Sequence, residues 1–178
     1  MKTMIGITLA ALGLAAIASA QDVTYNFDSE ANFAKYKTYK WVEITGGVKL
    51  DELIARQLTS AIEAGLATKG LSKVDSDTAD LYIGYQAAIQ QQKQVEMYGT
   101  GGGFGMGPRW GGGMATATTS TLLVGSVSVD MYEVAPKRLV WRGVATKTID
   151  QNAKPDKRQA NIQKAITKLL KNYPPKKK

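Results

Sequence analysis

Any chemistry in this chain falls to carboxylates, lysines and hydroxyls, because it contains neither histidine nor cysteine. His-based triads, thiolate nucleophiles and the common Cys/His zinc sites are thereby excluded. Asp130 and Glu133 lie close together on what reads as a central strand. Period-two alternation sends them to opposite faces, so they make a poor general acid/base pair. Asp80 opens another strand and is placed to cap or pair. A glycosidase needs two facing carboxylates ~5–10 Å apart, and no local spacing here specifies them. The reading is of a protein that is not an enzyme and needs no cofactor or metal. The alternative is a metal-free envelope enzyme built on carboxylates or lysine.

The other conspicuous stretch is Tyr98–Met114, with nine glycines from Gly99 to Gly113. It fails the dinucleotide fingerprint, since Gly101 and Gly103 would need a glycine where Met106 stands, and no G-K-[ST] follows. What remains is a glycine-rich loop decorated with Tyr98, Phe104, Met106, Arg109, Trp110 and Met114. Large apolar groups on such a loop can enter lipid or a partner's groove; a plain low-complexity connector is the other reading. Lys164, Lys168 and Lys171 share a face of the last helix, ahead of the basic tail 174–178. With a net charge of +8, this face suits an anionic envelope surface or an envelope protein; a solvated helix face is the alternative.

Three stretches position these residues. Ala79–Ile89, Thr121–Val134 and Leu139–Ile149 each alternate as half-buried strands. Trp141 shares a face with Leu139, Gly143, Ala145 and Ile149, which places it under a helix with Gly143 leaving room for the ring. Arg142 then faces the other side, opposite Asp130. Asp22–Phe27 and Thr38–Ile44 are two further strands, and Leu71–Val74 is a short one. Leu50, Leu53, Ile54, Leu58, Ala61, Ile62 and Leu66 mark an amphipathic helix over 50–69, closed by Gly70. Ile162, Ile166, Leu169, Leu170 and Tyr173 mark a second over 156–173. The order predicts an α+β two-layer sandwich: one antiparallel β-sheet with two amphipathic helices on one face.

The N-terminus is set apart. Lys2, the apolar run Met4–Ile17 and the small-x-small Ala18-Ser19-Ala20 make a secretory signal peptide over 1–20, with cleavage between Ala20 and Gln21. The apolar run is shorter than the ~20 residues that span a bilayer. The expected product is one domain, residues 21–173, periplasmic or secreted. It is not membrane-spanning, and without a cysteine it carries no lipid anchor. Export argues against a nucleic-acid partner.

Phe33, Tyr36, Thr38, Tyr39 and Trp41, the helix ending Lys69-Gly70-Leu71, and Ala79-Asp80-Leu81 together form a pattern. With the Leu-Val-x-Ser-Val-Ser-Val-Asp run ending at Asp130, and Arg138-Leu139-Val140-Trp141-Arg142-Gly143, it resembles the bacterial domain of unknown function 4136 family. The resemblance covers most of Gln21–Tyr173. It implies a small cell-envelope protein, often a lipoprotein in other members, with no established activity and no known catalytic residues.

Overall fold

The computed structural model describes residues 22–99, 115–135 and 137–176, with side chains for all of these but 94–99 and 115–118. Helix α1 runs Glu52–Ala67. Asp51 starts it by accepting the Leu53 and Ile54 N–H groups at 3.0 and 3.3 Å, which satisfies two otherwise orphaned donors. Gly70, at φ +78°, turns the chain just past its end. Helix α2 runs Pro155–Leu170, with the proline at its start. Leu58, Ala61, Ile62 and Leu66 of α1 and Ile166, Leu169 and Leu170 of α2 are buried. Leu53, expected on the buried stripe, is 63% exposed. Tyr173 is buried, but it lies beyond the helix rather than in it.

The strands are β1 (Asp22–Phe27), β2 (Thr38–Trp41), β3 (Ser72–Lys73), β4 (Leu81–Gly99), β5 (Ala115–Glu133) and β6 (Arg138–Thr148). They form one sheet in the order β1-β6-β5-β4-β2-β3. With α1 and α2 this is the expected α+β two-layer arrangement. The sheet is mixed rather than wholly antiparallel, because β2 runs parallel to both β3 and β4. The cause is α1: a strand that returns through a helical crossover comes back in its original direction. Thr38 and Asp80 tie the starts of β2 and β4 together. The Asp80 carboxylate accepts the Lys37 and Thr38 N–H groups at 2.8 and 2.9 Å and the Thr38 hydroxyl at 2.9 Å. Asp80 N–H donates to the same hydroxyl oxygen at 3.0 Å. These bonds, the Lys37 N–H foremost, hold the Asp80 carboxyl below its ordinary range.

Strands β4 and β5 extend well past their expected ends at Ile89 and Thr121. Their register runs unbroken from Leu81↔Glu133 to Gly99↔Ala115. Strand β6 stops at Val124↔Thr148, so the nine pairs from Gln91↔Leu123 to Gly99↔Ala115 form a two-stranded ribbon beyond the sheet body. At about 3.3 Å per residue the ribbon is ~30 Å long.

The core sits toward the other end. Leu81, Ile83, Val129, Met131 and Trp141 lie fully buried with Ile62, Leu66, Ile166, Leu169 and Leu170. A register shift between Met131 and Tyr132 sets Met131 against Trp141 but Tyr132 against Leu139. Val140 is the extra residue, and both it and Trp141 are buried. Such a bulge breaks the alternation, so Leu139, expected beside Trp141, is left 36% exposed. Gly143 makes room for the indole: a Cβ there would lie 2.4 Å from Trp141 Cη2 and 3.0 Å from Leu169 Cγ. Gly143→Ala is therefore expected to lower stability by ~1–3 kcal/mol in urea unfolding, because the rigid ring cannot step aside.

Candidate functional site

Toward the ribbon each of the three long strands reaches a small residue on its helix side. On the helix side β4 goes from Leu81 and Ile83 to Ala87, β5 from Met131 and Val129 to Gly125, and β6 from Trp141 to Ala145. Above them stand large residues, Leu50 just before α1 with Ile54 and Leu58 in it on one side, and Ile162 and Ile166 of α2 on the other. The mismatch leaves a cleft of about 460 Å³ between sheet and helices. That size lies within the ~300–1,000 Å³ range of small-molecule sites. Ile89 and Ile149 stand at its edge, 47% and 37% exposed. Gly125 lets Ile149 lie across the floor, since a Cβ there would be 2.9 Å from Ile149 Cδ1. A neighbouring depression of about 950 Å³ lies under residues 42–50 and is more polar.

Polar groups gather at one side of the cleft. Lys147 occupies an inward position of β6 and is half-buried; its Nζ donates to Asn161 Oδ1 at 2.7 Å. Arg158 donates to the Ala153 carbonyl at 3.4 Å. Asp150 is the one carboxylate among the lining residues. It accepts from Lys157 Nζ and the Asn152 N–H, both at 3.1 Å, and these, Lys157 first, hold its carboxyl below the ordinary range. The arrangement can bury an apolar group and meet a polar end. It lacks a second carboxylate with which to share a proton.

The carboxylates singled out from the sequence are committed elsewhere. Asp130 is fully buried and accepts from Arg142 Nε and Nη2, both at 2.6 Å. The pair forms across β5 and β6, on the one face where alternation puts both residues. Glu133 accepts from Lys35 and, at 3.2 Å, from Arg138. Lys35 foremost holds its carboxyl below the usual range. Of the loop residues, Tyr98 belongs to β4 rather than to a loop; the strand carries on through Gly99 because β5 supplies a partner for each residue. Phe104, Met106, Arg109, Trp110 and Met114 lie outside the described residues, as do Ala18 and Ala20. Lys164, Lys168 and Lys171 are exposed on or just past α2. Sequence reasoning missed the cleft residues. The available signal was Lys147, a cation at an inward position of an otherwise apolar alternation.

Among the described residues no helix is long and apolar enough to cross a membrane. The fold is shared with solved structures of low identity. A PDZ domain protein from Parabacteroides distasonis ATCC 8503 superposes with a TM-score of 0.54 at 13% identity, over 89% of this chain. The chain spans only 37% of that protein's length. A PelC dodecamer from Paraburkholderia phytofirmans gives a TM-score of 0.50 at 13% identity, over 85% of this chain and 95% of that one. Among curated proteins none matches. The resemblance noted in the sequence holds across the fold described above: residues 23–175 match the family described as Domain of unknown function (DUF4136), and the chain belongs to it.

Proposed function

We propose that this chain is an exported, non-catalytic binding module of the cell envelope, and that it takes an apolar group of its ligand or partner into the cleft between sheet and helices. The observation that carries this reading is the cleft itself, an apolar 460 Å³ space with small residues on its floor and exposed isoleucines at its edge. Proteins of this size seldom leave such space in a close-packed interior without a use for it. The single lining carboxylate, Asp150, weighs against a carboxylate-based enzyme there. The proposed contact surface also includes Tyr98, Phe104, Met106, Arg109 and Trp110. In support, the β4–β5 ribbon holds the two ends of that glycine-rich segment, Gly99 and Ala115, well away from the sheet body. Lys164, Lys168 and Lys171 would face an anionic surface. Export rests on the apolar run Met4–Ile17 and on Ala18 and Ala20; intact-mass measurement of the mature protein should find Gln21 first, and an intact Met1 would end that part of the proposal.

The cleft is tested with the neutral dye N-phenylnaphthylamine, whose emission rises in apolar surroundings. The mature protein is expected to enhance it saturably. Ala165→Trp, which puts an indole into the cleft from α2, should weaken binding about tenfold or more, the loss of ~1.4 kcal/mol, while the melting transition stays in place. No enhancement, or enhancement indifferent to Ala165→Trp, would refute the reading.

A further inference from the structure

Lys147 and Arg158 are the two cations of the cleft lining. Arg56, Arg138 and Arg142 each lie within 4.0 Å of a carboxylate, as do Lys35, Lys40, Lys73 and Lys157. Lys147 and Arg158 meet only neutral oxygens, the Asn161 amide and the Ala153 carbonyl. The nearby carboxylate, Asp150, is already engaged by Lys157 at 3.1 Å. Both cations belong to the lining of the apolar cleft. Lys147 points inward beside Ala145, where its stem covers apolar surface and its ammonium reaches the edge. An ammonium has three donors and a guanidinium five, so both retain donors for a further acceptor.

We propose that the cleft binds a single-chain amphiphile with an anionic head. The alkyl chain lies over Ala87, Gly125 and Ala145, and the head sits between Lys147 and Arg158. This rests on the cleft reading above and adds the class of ligand. A volume of about 460 Å³ is near the small end of ligand sites, which suits one chain rather than two. A cationic head would meet two cations with no free carboxylate opposite. A neutral head would make ordinary hydrogen bonds where an anion makes charge-assisted ones, which are about twice as strong.

The experiment is displacement of N-phenylnaphthylamine by dodecanoate, dodecanol and dodecyltrimethylammonium, all as monomers in solution. Dodecanoate is expected to displace the dye at about tenfold lower concentration than the cation, with the alcohol between them, as charge-assisted hydrogen bonds predict. In the double variant Lys147→Gln, Arg158→Gln that preference should collapse while dye binding persists. Lys147→Arg should keep it. If the double variant does not fold, high salt applied to the parent must shrink the preference of dodecanoate over the cation. Equal displacement by all three compounds would overturn the anionic head and leave the cleft reading standing. A preference that survives the double variant places the head elsewhere and overturns the assignment. Failure of the dye itself to bind would overturn both.

Discussion

Arg142→Met is expected to cost about 3–5 kcal/mol of folding stability, the loss that follows when one partner of a buried ion pair is removed. The reason lies with Asp130. Its carboxylate is fully buried and both of its oxygens accept from the Arg142 guanidinium. Its other cross-strand neighbour, Gly84, has no side chain to help, and Ile44 folds over that glycine, within 2.5 Å of where a Cβ would stand. Without Arg142 the buried carboxylate keeps only the Tyr132 hydroxyl, 3.5 Å from Oδ2. Adding Asp130→Leu to the arginine variant should recover most of the loss, since the isolated charge is gone. Urea unfolding of the two single variants and the double variant measures this. A cost below ~1 kcal/mol for Arg142→Met would mean that the pair behaves as a surface ion pair, in keeping with the partial exposure of the arginine rather than the burial of the aspartate.

Leu169→Ala is the second large effect, expected at ~2–5 kcal/mol. Leu169 is fully buried, and its Cγ lies 3.0 Å from where a Cβ on Gly143 would stand, beside the Trp141 ring. The indole is rigid and Gly143 offers no side chain to fill the gap, so the site cannot collapse onto the cavity. Lys164→Ala, on the exposed side of the same helix, should stay within ~0.5 kcal/mol of the parent. The contrast separates docking of the helix from its intrinsic propensity. Comparable small losses at both positions would show that α2 is not held to the sheet.

These two sites were legible in the sequence because each follows from alternation within one hairpin. The period-two pattern puts Asp130 on one face with Arg142 and Trp141 on one face with Gly143, although it takes the bulge at Val140 to set Asp130 directly opposite Arg142. Other features depend on elements far apart in the chain. The parallel pairing of β2 leaves no mark in Thr38–Trp41 itself, because strand direction is set by the path through α1. The ribbon was hidden for a different reason. Gln90–Lys93 are polar and exposed, so they lack the apolar alternation that marks a strand, and only the partner strand reveals them as one. The cleft is more remote still. Ala87, Gly125 and Ala145 are unremarkable singly and make a floor only when two registers bring their three strands together.

The ribbon gives the molecule two scales of stability. Among the described residues its nine pairs have no third strand beside them, and the Ile149 N–H, donating to the Leu123 carbonyl at 2.7 Å, meets only the first of them, whereas the pairs from Leu81 to Ala87 lie over the buried core. A two-stranded hairpin alone is marginal in water. Amide exchange in Gln91–Gly99 and Ala115–Leu123 should therefore proceed by unzipping from the distal end, at a small fraction of the global unfolding free energy, while Ile83 and Val129 exchange only when the whole domain opens. The hydrogen bonds of the two regions are of the same kind, but they report on different events, and a probe placed on the ribbon would say nothing about whether the domain is folded.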